Sequence, residues 1–171
     1  ANSGSCASAN YQANSPYAPL AHWKLDDSVA GDNKTIVDST GNAHNGTTHW
    51  GGNGNGMDCA APGVYGLGCQ FDGVDDYIEA PDSPQLKTFN SFTVSAWVYW
   101  KGGGQNLQNI LSYMNYPTKG YRLFYYNNGS VQLSVGNGAG DQYVLTGAGA
   151  LPINKWAYIT GVYDGSTLKI Y

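Results

Sequence analysis

The stretch "FTVSAWVYW" at 92–100 decides the fold. Phe92, Val94, Ala96 and Val98 alternate with Thr93, Ser95, Trp97 and Tyr99, and a period of two residues puts one set on each face of a β-strand. A helix needs apolar residues at three- and four-residue intervals, and no segment keeps that pattern for longer than a turn or two. On either side of 92–100, short apolar or alternating runs recur between turn residues. Segments 20–26, 69–73, 76–80, 109–114, 121–126, 130–136, 142–147, 155–163 and 167–171 all read as strands. Asn127-Asn128-Gly129 and Asp164-Gly165 read as hairpin turns, where a left-handed backbone favours Asn, Asp and Gly.

Many closely spaced strands without helices leave a sandwich or a barrel. Segment 27–68, rich in Gly, Asn and Thr, reads as one long connection, too large for a simple hairpin. It favours an all-β fold, a two-sheet antiparallel β-sandwich of the jelly-roll kind. Residues 1–19 are small and polar with two prolines and read as an N-terminal arm or linker, with the domain at 20–171.

Composition narrows the function classes. Of 171 residues only 12% are charged, while 24 are Gly, 14 Tyr and 5 Trp; that profile suits a turn-rich β protein and not a disordered one. A net charge of −4 excludes the basic stripe of a nucleic-acid binder. No apolar run approaches the ~18 residues of a membrane span, so no membrane insertion is expected. In "CAAPGVYGLGC", Cys59 and Cys69 stand at the ends of a Gly/Pro loop, which predicts a disulfide and with it an extracellular or periplasmic setting. The alternative, metal ligation, lacks an accompanying CxxC or His-x3-His. Cys6 has no assigned partner.

Seven segments, "LAHWKLDD", "VDSTGNAHNGT", "CQFDGVDDYIEAPDS", "FTVSAWVYW", "NILSY", "GYRLFYYNNGSVQLSVGNG" and "PINKWAYITGVYDGSTLKIY", occur in the order seen in laminin-G-like jelly-roll domains of the concanavalin A-like lectin/glucanase superfamily. The chain resembles that family over roughly 20–171. The resemblance implies a two-sheet antiparallel sandwich, often a calcium site, and carbohydrate binding or adhesion. In such domains the segment like "STLKIY" runs on into further strands, the last carrying an acidic residue, whereas this sequence ends at Tyr171. The expectation is a sandwich lacking its C-terminal strands, completed by a continuation of the chain or by another subunit, since bare sheet edges are a hazard. Self-association or strand complementation follows from that expectation.

Catalysis finds little support. Glycosidases of the superfamily pair carboxylates on one strand, but Glu79 is the chain's single glutamate and Pro81 and Pro84 interrupt its strand. His22, His44 and His49 are scattered, and neither a nucleophile elbow nor a phosphate loop is present. For calcium, which takes six to eight hard oxygens, "DSTGNAHNG" (38–46) offers Asp38, Thr40, Asn42 and Asn45, with Asp26 and Asp27 approaching from the first strand. Asp38 is the leading ligand of the set Asp38, Asn42, Asp27 and Asp26. The competing interpretation is an Asx-turn loop whose side chains bond their own backbone. "FDGVDDYIEAP" (71–81), with four acids, reads as a structural turn between strands, its flanking aromatic and Tyr-Ile packed inward as the resemblance implies. A second metal role for Asp72 or Asp76 stays open.

Tyr116, Tyr125, Tyr126, Trp50 and Trp100 lie in or beside loops rich in Asn and Gln and offer a rim for sugars. Each is equally a strand-packing residue, so no ligand-binding residue is assigned. The expected protein is a non-catalytic extracellular or cell-surface module, calcium-assisted, that binds a glycan or a surface protein. The alternatives are a structural subunit of a cell-surface filament or pilus-associated protein and, behind it, a glycoside hydrolase.

Overall fold

The computed structural model describes residues 18–52, 56–87, 90–115, 119–137 and 140–171. Twelve strands are present among them: β1 (Thr35–Ile36), β2 (Gly46–His49), β3 (Asp58–Pro62), β4 (Leu67–Gln70), β5 (Tyr77–Glu79), β6 (Phe92–Tyr99), β7 (Leu107–Asn115), β8 (Lys119–Tyr126), β9 (Val131–Asn137), β10 (Asp141–Leu145), β11 (Trp156–Tyr163) and β12 (Leu168–Ile170). The helical content is one 3-10 turn at Pro84–Leu86, capped by the Ser83 side chain, which accepts from the Gln85 N–H. The predicted arm falls largely outside the described residues, as do Cys6 and Tyr116.

Two antiparallel sheets form the main sandwich. One runs β10-β9-β8-β7 and the other β12-β11-β6. Strand β6 realises the predicted alternation: Thr93, Ser95, Trp97 and Tyr99 are exposed while Phe92, Val94, Ala96 and Val98 are half-buried. Phe92, Val94 and Val98 pack with Ile159, Leu168 and Ile170 of the same sheet against Leu123, Leu133, Val131 and Val144 of the other. Burying each such side chain stabilises by about 1.5–3 kcal/mol. Close approach of the layers depends on Gly161, where an added Cβ would lie 3.0 Å from Leu133 Cδ1. The β8–β9 turn is as predicted: Gly129 has φ 75° and its N–H donates to the Tyr126 carbonyl.

Two expectations need correction. Segment 27–68 is not a single loop, because it contains β1, β2 and β3; β1-β2-β5 form a third sheet and β3-β4 a hairpin. Their Gly, Thr, Ala and Pro content hides them from a pattern search. What organises them is a second core of Ile36, Met57 and Cys59, with Trp23, Leu25 and Ile78 packed against it. Conversely, 20–26 is not a strand. Its one ladder contact is the bridge Trp23↔Asp38, and Leu25 at φ 61° takes the chain out of the extended region.

Candidate functional site

The predicted metal loop is a hydrogen-bonding hub. Asp38 is buried. Its Oδ1 accepts from the His22 N–H (3.0 Å), the Thr40 N–H (3.0 Å) and the Thr40 hydroxyl (2.7 Å), and its Oδ2 accepts from the His44 N–H (3.1 Å). His44 Nδ1 lies 3.3 Å from the same Oδ2, and its Nε2 lies 3.1 Å from Ser83 Oγ and from Gln85 Oε1. Burial raises the Asp38 pKa, but the donors from His22, Thr40 and His44 outweigh it and hold the carboxyl at about 2 against an ordinary 3.8. The loop therefore ties 20–23 to 38–46, helped by Trp23 Nε1, which donates to the His44 carbonyl, and by Asn42 Nδ2, which donates to the Leu20 carbonyl. Asn42 and Asp26 are exposed. Asp27 differs from the rest: its Oδ1 accepts from the Val37 N–H, while its Oδ2 is buried with no hydrogen-bond partner among the described residues.

Among the described residues, the acids that come within one ion's reach are Asp72, Asp75 and Asp76, whose ligand atoms lie within 4.8 Å of one another. They form the turn between β4 and β5. Asp72 Oδ1 accepts from the N–H groups of Val74 (2.8 Å), Asp75 (3.2 Å) and Asp76 (3.4 Å), and Asp76 Oδ2 accepts from the Asp72 N–H. The Val74 N–H chiefly, with those of Asp75 and Asp76, lowers the Asp72 pKa. Burial first, and then the charges of Asp72 and Asp75, raise that of Asp76. The inward packing expected of the flanking aromatics is not found: Phe71 and Tyr77 are exposed, and Ile78 alone joins the second core. Tyr77 stacks on His49, whose Nε2 lies 3.5 Å from Glu79 Oε2.

An exposed aromatic face covers the outside of β6 and β11. The ladder pairs Tyr158 with Trp97 and Trp156 with Tyr99, which brings their ring centroids to 5.1 and 5.4 Å. All four are between 39% and 53% exposed, a large investment of apolar ring in solvent for one sheet face. The Tyr158 hydroxyl donates to Ser95 Oγ, and no charged residue interrupts the outward positions from Thr93 to Tyr99. Tyr65, on the tip between β3 and β4, meets Trp97 edge-on at 6.4 Å. The Cys59–Cys69 disulfide joins these two strands below the tip. Covalent bracing of a short hairpin thus holds a fifth ring against the face.

The aromatic residues that the sequence offered as a rim for sugars, or else as strand-packing residues, take different places. Trp100 is buried in the main core, and Tyr125 packs against that core and donates its hydroxyl to Gln108. Tyr126 donates to Gln132. Trp50 remains 37% exposed. The signal for the exposed aromatic face was the alternation of "FTVSAWVYW" joined to that of Trp156 and Tyr158 in β11, and only the β6–β11 register brings the two together.

A family profile of laminin G type, described as the concanavalin A-like lectin/glucanases superfamily, matches residues 72–171. Among solved structures the chain is similar to the 2.1 Å crystal structure of an S-layer domain-containing protein (residues 221–444) from Clostridium thermocellum, at 26% identity and a TM-score of 0.56, over 88% of this chain and 67% of that one. No curated protein matches the chain.

Proposed function

Because the chain belongs to the concanavalin A-like lectin/glucanases superfamily, we propose that it is a non-catalytic extracellular or cell-surface module that binds neutral glycan chains on the exposed face of β6 and β11. The observation that carries this reading is the pairing of Trp97 with Tyr158 and Tyr99 with Trp156 in solvent. Aromatic faces bind the C–H side of sugar rings, and neighbouring hydroxyls bond the sugar hydroxyls. The rings are tilted against one another by 44° and 63°, which suits a single twisted chain better than a flat crystalline surface. An S-layer protein as structural neighbour and a disulfide support residence at the cell surface.

Two features speak against bond cleavage. Glu79 is an exposed residue facing His49, and the clustered Asp72 and Asp76 spend oxygens on the N–H groups of their own turn. Calcium belongs to the proposal as a stabilising ion. Asp38 is a poor anchor because both oxygens already accept hydrogen bonds, whereas the buried, unpartnered Asp27 Oδ2 fits a cation. A second reading, a structural subunit of a surface layer or filament, is favoured by the neighbour's description and would use the same face for self-association.

Affinity electrophoresis in gels cast with neutral β-glucan, xylan or mannan tests the proposal. At least one polymer is expected to retard the protein, with Trp97→Ala and Trp156→Ala each weakening retardation about tenfold, near 1.4 kcal/mol. Equal retardation of parent and variants would remove the glycan reading. Concentration-dependent assembly that both substitutions abolish would put the structural reading in its place.

A further inference from the structure

Strand β6 stands at the edge of its sheet with its backbone bonded on one side alone, its ladder partner being β11. The Thr160 N–H donates to the Tyr171 carbonyl at 3.0 Å, and the Tyr171 N–H to the Thr160 carbonyl at 2.9 Å. The backbone groups of Thr160 therefore face β12. Successive residues of a strand point these groups to opposite edges, so those of Ile159 and Gly161 face β6, opposite Ala96 and Val94. Phe92, Val94, Ala96 and Val98 accordingly direct their N–H and C=O groups to β11. Those of Thr93, Ser95, Trp97 and Tyr99 point out of the sheet at its other edge, where no strand pairs with them among the described residues.

The core beneath that edge is open as well. Phe92, Val94, Ala96 and Val98 turn inward yet are only half-buried, whereas Ile159 beside them on β11 is buried. Strand β4 flanks the same edge. Tyr65, just before β4, meets Trp97, and Gln70 at the end of β4 accepts from Lys101 Nζ at 2.9 Å, so β4 follows β6 in the same direction. The turn after β4 lies on this flank too, its Gly73 carbonyl accepting from Gln108 of β7. Yet β4 and β6 share no ladder, for β4 pairs with β3 alone. Long side chains join the two strands at both ends while the backbones between remain unpaired. One strand seated between two others separates those two by about 9–10 Å, a distance that such side chains bridge. Lys101, at the end of the gap, belongs to none of the ion pairs among the described residues.

We propose that the flank of β6 facing β4 takes up one extended segment of a partner polypeptide as an added strand, antiparallel to both. Unpaired main-chain groups supply the affinity of such additions, and alternate side chains supply the selectivity. An antiparallel segment satisfies the ladder of β6 in the more stable of the two pairings. Its inward residues lie opposite Val94, Ala96 and Val98 and complete the core, so they are apolar. Its outward residues lie beside Thr93, Ser95, Trp97 and Tyr99 and are hydroxylic or aromatic. The segment begins beside Tyr99 and Lys101, where an acid meets the unpaired cation. With β4 alongside, the gap has room for one strand and not for the sheet edge of a second copy. The site is the flank of the strand, not its ring-bearing face, and stands apart from the glycan reading.

Isothermal titration and residue-resolved amide exchange of the full chain test the proposal with a synthetic, N-acetylated peptide: one aspartate followed by alternating valine and threonine, about nine residues in all. A peptide of the same composition with its valines and threonines in separate blocks is the comparator, and should bind about tenfold more weakly or not at all. The amides of Thr93, Ser95, Trp97 and Tyr99 should exchange fast in the free protein and slow about tenfold or more when the alternating peptide is added. Those of Val94 and Ala96 should be slow throughout. Ser95→Pro removes a donor that faces the gap and leaves the β6–β11 ladder intact, as proline at a strand edge does, and should weaken binding about tenfold or more. If Ser95→Pro unfolds, the alternating peptide N-methylated at its threonines should fail to bind the parent. Equal binding of the blocked or methylated peptide, or protection of the outward amides before any peptide is added, would overturn the proposal. Concentration-dependent dimerisation that protects those amides without peptide would overturn it too, and would make a second copy the occupant.

Discussion

Replacing Asp38 by Asn changes one atom at the centre of the N-terminal half, and the structure sets the size of the loss. In the parent, Oδ1 takes three donors from His22 and Thr40, and Oδ2 takes the His44 N–H. An amide can keep the first set only by turning its NH2 towards the His44 N–H, so two donors meet in a buried place. The depression of the carboxyl from 3.8 to about 2 corresponds to about 2 kcal/mol of preference for the ionised, hydrogen-bonded state. Stranding the His44 N–H adds about 1–3 kcal/mol. Asp38→Asn should therefore cost about 3–5 kcal/mol at pH 7, a fall in melting temperature of roughly 6–20 °C for a chain of this size. Because the folded pKa lies below the unfolded one, the ionised carboxylate's contribution is complete above pH 3.8 and lost as pH falls through about 2. Thermal melts followed by tryptophan fluorescence from pH 7 to pH 2 should show the gap between parent and variant narrowing over that window. Asp26→Asn, at an exposed position, serves as the control. A variant melting within 2 °C of the parent at pH 7, by about the precision of such melts, or a gap unchanged at low pH, would refute the hub.

Three further outcomes follow from other parts of the fold. Gly161→Val should destabilise by about 1–3 kcal/mol in urea unfolding through overpacking, because its Cβ position already meets Leu133 at 3.0 Å; a neutral result would mean the layers are looser than they stand here. Cys59→Ser with Cys69→Ser opens a short loop, residues 10 apart, and should cost about 2–3 kcal/mol while weakening glycan retardation by freeing Tyr65; unchanged stability and binding would deny the bracing role. Millimolar calcium should raise the parent's melting temperature in calorimetry, with the rise lost in Asp27→Asn and kept in Asp76→Asn. The reverse pattern would move the ion to the acidic turn, and no rise in the parent would remove calcium from the account.

The main sandwich was legible in the sequence because its strands are long enough to alternate. In β6 the set Thr93, Ser95, Trp97 and Tyr99 could be separated from Phe92, Val94, Ala96 and Val98 by period alone, the structure turning the first set outward, and Gly129 marked the β8–β9 turn. The N-terminal half was not legible, since β1 and β2 contain just six residues between them and are fixed by Ile36 and Met57 in a core assembled from distant segments. "DSTGNAHNG" announced an ordered loop, but its oxygens did not reveal who would fill them. The answer came from His22, 16 residues away, and from His44. Aromatic residues were similarly ambiguous one at a time. Trp100 and Tyr125 went to the core, while Trp97 and Tyr158 became a surface pair only through a register that spans 61 residues of sequence.

Whether this sandwich holds sugar chains without cutting them is settled most directly by one titration. The retarding neutral polysaccharide, degraded to soluble oligosaccharides, is added to the protein while tryptophan fluorescence reports Trp97 and Trp156 and reducing ends are counted in the same tube over many hours. A saturable fluorescence change with no new reducing ends is expected. Reducing ends that accumulate with the parent and cease with Asp76→Asn would contradict it, and would make the turn between β4 and β5 an active site.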